Sequence, residues 1–285
     1  MRVLANALLH TRRWIVQLLA VVGFNFWVLP DPPSPLKSIP CLGLNCYACP
    51  LAAYACPIGS TQFFIGQLLP ATRAGLADPS LAMLLEIVNK APFYVLGVVG
   101  VVGALVGRAA CGWLCPFGFL QDLVYKLPGP KLHLSNRWGW TRFVVLALLV
   151  GLIPFLVGEP WFCKLCPVGA LEAGIPLVIL DPGIRYLVDL LFAIKLVILA
   201  GTILSVVLVK RAFCRFICPL GALYSLTNRF SALKLTVDQA ACIRCDRCRE
   251  VCPTDMLVYE NPNDMACVRC LECVRVCPTT AIAVE

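Results

Sequence analysis

Charged side chains are scarce in this chain of 285 residues, at 14% Asp, Glu, Lys and Arg, where an ordinary soluble domain carries about 25%. That excludes a conventional globular enzyme with a fully charged surface. Histidine is scarcer still: His10 and His133 are the two present, and both lie outside the long apolar runs. No bis-histidine haem can therefore sit between helices. No G-x-G-x-x-G follows a candidate strand, so a dinucleotide site has no support, and no run suggests a flavin fold. The formal net charge is +8, but residues 233–285 carry 6 Lys/Arg against 8 Asp/Glu, leaving +10 for the first 232. The basic residues cluster at the ends of apolar segments rather than on one polar face, which argues against nucleic-acid binding.

What is abundant is apolar surface: 60% of the residues, with a mean hydropathy of +0.83. Four segments read as membrane spans: Trp14–Leu29, Ala91–Val106, Phe143–Val157 and Tyr186–Val209. Pro30-Asp31-Pro32-Pro33 follows the first without a small-residue cleavage site, so it reads as an uncleaved span. Pro154 is expected to kink the third. Arg2, Arg12 and Arg13 precede the first span; Arg108, Lys126, Lys131, Arg137 and Arg142 lie between the second and third; Lys210, Arg211 and Arg215 follow the fourth. The other two loops are leaner in basic residues. The positive-inside rule then places both termini in the cytoplasm of a prokaryotic cell, with the chain multi-pass in its inner membrane.

Eight of the eighteen cysteines fall in the last 44 residues, in a pattern written twice. Cys242-x2-Cys245-x2-Cys248-x3-Cys252-Pro253 recurs as Cys267-x2-Cys270-x2-Cys273-x3-Cys277-Pro278, 25 residues on at every cysteine. This is the bacterial two-cluster ferredoxin run, in which three cysteines bind one [4Fe–4S] cluster and the fourth crosses to the other. The assignment is Cys242, Cys245, Cys248 and Cys277 for one cluster, and Cys267, Cys270, Cys273 and Cys252 for the second. Zinc is the rival, but its sites bring paired C-x-x-C motifs rather than runs of four. Reduced thiolates need a reducing compartment, in agreement with the charge-based orientation.

The other cysteines group around a repeated phrase: Cys56-Pro-Ile-Gly, Cys115-Pro-Phe-Gly, Cys166-Pro-Val-Gly and Cys218-Pro-Leu-Gly. The order span, outer phrase, span, inner phrase occurs twice, which implies an internal duplication about an axis along the membrane normal. Cys111-x3-Cys115-Pro and Cys214-x3-Cys218-Pro each place a cysteine at a helix N-cap with proline at the first helical position. Free N–H groups and the helix dipole there favour an anionic ligand. Cys111, Cys115, Cys214 and Cys218 read as ligands of a third, inner-face [4Fe–4S] cluster, with thiol–disulfide exchange and inert buried thiols as the alternatives. Cys46, Cys49, Cys163 and Cys166 are outer-face candidates for a fourth, with Cys56 as a substitute and Cys41 as a bystander. A disulfide among the outer cysteines is the competing reading. Asp189 and Lys195 fall within the fourth span, where a charge reads by default as functional. Trp113, Trp138 and Trp161 read as interface anchors.

With these motifs the chain resembles the membrane polyferredoxins of the NapH/NosR type. The resemblance rests on Cys111-Gly-Trp-Leu-Cys115-Pro-Phe-Gly, Cys218-Pro-Leu-Gly-Ala and the C-terminal ferredoxin run, and covers about residues 90–285. It implies a membrane electron-transfer role, passing electrons from quinol towards a partner reductase or its maturation. The large flavin-bearing N-terminal domain of NosR-like proteins is not matched here. The expected fold is mainly α: a four-span helical domain over 1–232, internally duplicated and with re-entrant cysteine loops, followed by a small α+β ferredoxin domain over 233–285. The expected function is a non-catalytic electron-transfer subunit of an oxidoreductase complex. It would connect cytoplasmic clusters to a membrane or outer-face partner such as quinone or another redox subunit. The alternative is a thiol–disulfide carrier or maturation factor supplying reducing equivalents to a metalloenzyme.

Overall fold

Proline and glycine placement divides the apolar sequence into helices of two kinds, long ones and very short ones set at the cysteines. The computed structural model describes residues 11–25, 41–46, 56–77, 93–180 and 182–285. In chain order the helices are α1 (Arg13–Asn25), α2 (Pro57–Ala77), α3 (Phe93–Val106), α4 (Ala109–Trp113) and α5 (Pro116–Val124). Then come α6 (Asn136–Val157), α7 (Trp161–Leu165), α8 (Pro167–Leu180) and α9 (Leu190–Leu208). The last are α10 (Ala212–Phe216), α11 (Pro219–Thr227), α12 (Arg247–Val251) and α13 (Glu272–Val276).

Two of these, α6 and α9, are long and apolar enough to cross a membrane; Arg13–Phe24, Val95–Val106 and Pro167–Leu180 are shorter apolar helices. At 1.5 Å per residue the 19 residues of α9 reach about 28 Å, close to the hydrocarbon thickness of about 30 Å. Residues 26–29, the end of the first expected span, lie outside the described residues, as do Ala91, His10 and Cys49. At Pro154, where a kink is expected, the helix changes its hydrogen bonding. Proline cannot donate to the carbonyl four residues back, and the ladder relaxes to wider i→i+5 bonds over Leu146–Leu152, just before it. The same happens over Ala170–Gly174, ahead of Pro176. Asp189 is not inside a helix but caps one: α9 begins at Leu190, and the Asp189 carboxylate accepts from the Phe192 N–H at 3.1 Å. Its polarity is used locally. Lys195 lies within α9, half-buried.

The short helices repeat. α4 and α10 have five residues each, α5 and α11 nine each, and each nine-residue helix starts at a Pro preceded by an N-cap cysteine, Cys115 or Cys218. Cys166 caps α8 in the same way, and Cys56 directly precedes Pro57 of α2.

In the tail, β1 (Leu235–Val237) pairs antiparallel with β2 (Ile282–Val284), Leu235 opposite Val284 and Val237 opposite Ile282. The sequence repeat is also a backbone repeat. Arg244, Asp246 and Asp255 have positive φ, and so do Arg269, Leu271 and Thr280, each 25 residues later. Non-glycine residues rarely accept that conformation. Alternating with right-handed neighbours, it turns successive N–H groups into a concavity suited to an anionic group, iron–sulfur sites included.

The tail lies directly against the helical part. Ala232 and Leu233 donate to the carbonyls of Ala104 and Leu105 at the end of α3. Asn228 is a hub: its amide donates to the carbonyls of Asp264 (3.0 Å) and Cys267 (2.8 Å), and its oxygen accepts from the Arg108 N–H. On the other side Asp255, with a side chain 3% exposed, accepts from His133 Nδ1 at 3.0 Å and Arg249 Nε at 3.2 Å. Burial pushes its carboxyl up, but the His133 and Arg249 donors outweigh that and hold it below the usual carboxylate range. This contribution to docking is present above about pH 4, the unfolded value, and is lost as pH falls through the depressed folded value. Asp255→Ala is accordingly expected to make the tail more sensitive to limited proteolysis at neutral pH and to flatten the acid limb of that sensitivity.

Candidate iron–sulfur sites

Three sets of cysteines are drawn together by this architecture. In the tail, Cys252, Cys267, Cys270 and Cys273 line one cavity with Leu235, Met256, Val258 and Leu271. The fourth cysteine of the first run thus stands with the first three of the second. Cys248 neighbours Cys245, and burial raises its thiol. The Cys-Pro-Thr ends are alike: the Cys252 and Cys277 sulfurs lie 3.4 and 3.8 Å from the hydroxyls of Thr254 and Thr279.

Cys111, Cys115, Cys214 and Cys218 form the second set, all 5–6% exposed. Burial pushes the Cys115 and Cys218 thiols well up, and the neighbouring Cys214 and Cys111 push them further. Four thiols cannot ionise together in such a place without cationic compensation. Cations are at hand. Arg108 and Arg211, each three residues before the first cysteine of its motif, are 0% and 1% exposed. They reach across to the opposite half: Arg108 Nη2 donates to the Cys214 carbonyl at 3.3 Å, and Arg211 Nη1 to the Cys111 carbonyl at 3.1 Å. Arg142, 3% exposed, feels the charge of Cys218 and Cys111.

Asp122 neutralises Arg211 through two contacts of 2.7 and 2.6 Å and takes Arg13 at 3.0 Å. No carboxylate pairs with Arg108 or Arg142 among the described residues, and Arg108 Nε and Arg142 Nε and Nη1 are buried without a hydrogen-bond partner. Orphaned buried cations around four thiols fit an anionic group there. A tetrathiolate [4Fe–4S] cluster is such a group.

The third set comprises Cys46, Cys163 and Cys166 together with Cys56. Cys56 and Cys166 each neighbour Cys46, the Cys46 sulfur lies over Gly169, and Gln62 Nε2 reaches the Cys163 sulfur at 3.2 Å. The cysteine that completes the set among the described residues is Cys56, the substitute on sequence grounds, which shares the Cys-Pro-x-Gly phrase with Cys115, Cys166 and Cys218. Among the described residues, no group of three or more His, Cys, Asp or Glu stands at the spacing of a single metal ion.

Close backbone contacts link the sets. Gly112 lies so near the Val268 carbonyl that a Cβ would stand 2.4 Å from its oxygen, and Trp113 Nε1 donates to the Arg269 carbonyl at 3.1 Å. Trp113 is thus a buried docking residue, 4% exposed, not an interface anchor; Trp138, 62% exposed, remains on the surface. On the opposite side the strap Cys41–Cys46 crosses the second set. A Cβ on Gly43 would fall 2.7 Å from Cys115 Cα, and the Leu44 oxygen is 4.0 Å from the Cys115 sulfur. Two residues further along is Cys46. From standard backbone dimensions its sulfur lies at most about 14 Å from that of Cys115. Surface-bound sets would stand a membrane thickness apart, which is why re-entrant cysteine loops were expected; the strap brings Leu44 to Cys115.

From sequence the arginines were read as topology markers alone, and neither Gln62 and Gln121 nor the lie of the strap was singled out. A signal existed for most of them, since Arg108 and Arg211 hold the same offset from their motifs, and Gln62 and Gln121 both follow a Cys-Pro cysteine by six residues.

A family profile described as a 4Fe-4S binding domain (Fer4_5) matches residues 91–135, 138–175 and 191–237, and a second 4Fe-4S binding domain profile (Fer4) matches 235–258. The chain is a polyferredoxin-type [4Fe–4S] protein. An uncharacterized protein of Methanocaldococcus jannaschii is 31% identical to it over 58% of this chain and 66% of the relative. The methylamine utilization ferredoxin-type protein MauN of Methylobacillus flagellatus is 28% identical over 68% and 65%, respectively. The ferredoxin-type protein NapH of Escherichia coli is 28% identical over 55% and 51%. The chain thus spans two-thirds or less of the length of these curated relatives. No solved structure matches.

Proposed function

We propose that the chain is an integral-membrane electron-transfer subunit that holds four [4Fe–4S] clusters in file, from the cytoplasmic tail to the outer side of a duplicated four-span domain. The first pair of sites would be Cys242, Cys245, Cys248 and Cys277, then Cys252, Cys267, Cys270 and Cys273. Cys111, Cys115, Cys214 and Cys218 would form the third, and Cys46, Cys56, Cys163 and Cys166 the fourth. When bound, these clusters supply one-electron carriers. The observation that carries the reading is the continuity of contact. Gly112 against Val268 joins tail to inner set, and Leu44 against Cys115 joins inner set to outer. Relatives with ferredoxin-type names, MauN and NapH, support the same role.

Membrane insertion is supported by the apolar side chains that α6 and α9 leave uncovered, among them Leu152, Leu156, Val197 and Leu204. Large exposed apolar faces mark a lipid or partner surface. The cysteine loops sit between short helices packed inside protein, where irregular backbone is tolerated at membrane depth. An apolar groove beside Pro116 and Phe117, lined by Val21, Leu120, Leu123 and Leu180, suits a quinone or a partner's apolar segment.

Iron analysis of anaerobically purified protein tests the proposal. About 16 iron atoms per chain are expected, four for each of four clusters. About 8, the tail clusters alone, with the outer cysteines alkylated only after reduction, would replace both membrane clusters with a thiol–disulfide carrier.

A further inference from the structure

Two buried glutamines occupy equivalent positions and do equivalent things. Gln62 follows Cys56 by six residues and Gln121 follows Cys115 by six; both are essentially inaccessible, at 0% and 1% exposure. Gln62 Nε2 lies 3.2 Å from the Cys163 sulfur, and Gln121 Nε2 lies 3.0 Å from the Cys214 sulfur. Each thus reaches from the first half of the chain to the leading cysteine of the corresponding motif in the second half. Their orientation is fixed from behind. Gln62 accepts from the Phe162 N–H at 3.0 Å, and its Nε2 also approaches the Ile58 carbonyl one turn back, at 3.5 Å. Gln121 Nε2 donates one turn back to the Phe117 carbonyl at 3.3 Å. The positions six residues after the second-half cysteines are used differently. Glu172 accepts from the Cys46 N–H at 2.8 Å, and the Tyr224 hydroxyl donates to the Leu42 carbonyl at 3.2 Å. The second half therefore clamps the strap, while the first half supplies donors to sulfur.

We propose that Gln62 and Gln121 are a duplicated pair of positioning donors, each aiming an amide N–H at one thiolate and so raising the reduction potential of the cluster held at its site. The proposal rests on the reading that both membrane sets hold clusters. A neutral amide suits the task because it adds no charge, either to the inner site, already rich in cations, or to the outer one, beside Glu172. Reduction adds one negative charge to the cluster, spread partly over its cysteine sulfurs, and a donor to sulfur stabilises that state more than the oxidised one. Because one glutamine amide serves each site, beside backbone donors such as the Gly221 N–H on the Cys218 sulfur, both sites carry a second-half thiolate with a side-chain donor.

The test is a redox titration of anaerobic protein followed by electron paramagnetic resonance, comparing the full chain with Gln62→Met and Gln121→Met, which keep the side-chain length and remove the donor. Each variant is expected to lower one midpoint, a different one in each case, by roughly tenfold in the reduction equilibrium constant, about 59 mV for one electron. Iron content and the two tail signals should not change. Unshifted midpoints at full iron content overturn the proposal. Should a variant lose its cluster, pulsed resonance on unmodified protein labelled with side-chain 15N-glutamine decides. A 15N coupling at both membrane clusters is expected, and its absence refutes the donors. Unmodified protein holding only about eight irons removes the premise instead, and that failure is visible before any variant is made.

Discussion

Cys115→Ala is expected to remove one paramagnetic signal and about four iron atoms per chain while both tail signals persist. The reasons lie in where Cys115 stands. It is 5% exposed, caps α5 with Pro116 behind it, and neighbours Cys111 and Cys214. The strap that crosses it brings Gly43 and Leu44 to the site, while Cys46 belongs to the next set. Losing one of four soft ligands leaves Arg108 and Arg142 facing three thiols with less negative charge among them, so partial occupancy is disfavoured electrostatically as well as by ligand count. The tail should be indifferent, because its contacts with this region run through the backbone of Val268 and Arg269 and through Asn228, none of which involves the Cys115 side chain. Unaltered spectra in Cys115→Ala would end the inner-site assignment.

Asp122→Asn is expected to cost about 3–5 kcal/mol of stability in detergent denaturation, the usual penalty for stripping one member from a buried ion pair. Arg211 is 1% exposed, and its guanidinium holds the Cys111 carbonyl as well as both Asp122 oxygens. The amide that replaces the carboxylate leaves that cation uncompensated. Arg13 loses a partner too, loosening α1, whose Gln17 holds the Gly112 carbonyl at 3.0 Å. The native protein should show the same interaction as an acid limb. Burial pushes the Asp122 carboxyl up, but Arg211 and Arg13 together hold it below the ordinary carboxylate range. Its contribution is complete above about pH 4 and disappears as pH falls through the lower folded value. In Asp122→Asn that limb should be missing from the stability profile.

The cysteine runs and their proline-capped helices were legible in the sequence because both are local: a spacing sets the ligands, and a Cys-Pro step sets the N-cap. The helical character of the apolar segments followed from composition for the same reason. What was not legible is relational. Nothing in Cys41–Cys46 announces that glycine at 43 lets the strap lie on Cys115: re-entrant loops were expected, but not this contact. Trp113 read as an interface residue because it stands near the end of an apolar run, whereas its indole is turned inward to Arg269. Asp189 read as an intramembrane charge because apolar residues flank it on both sides, although a break in the helix makes it a cap. Charge balance hid most completely. Three buried arginines around four thiols look, in one dimension, like ordinary markers of a cytoplasmic loop.

The covering of Gly112 and Trp113 by Val268 and Arg269 bears on how the protein is made. Residues 107–227 leave the ribosome before the last cysteine run, so the four thiols between α4 and α11 are open on that side only while synthesis is unfinished or the tail has yet to dock. Once the final repeat settles onto them, that entrance is shut. On the proposed assignment, a cluster reaching these thiols from that side would have to enter before the tail docks.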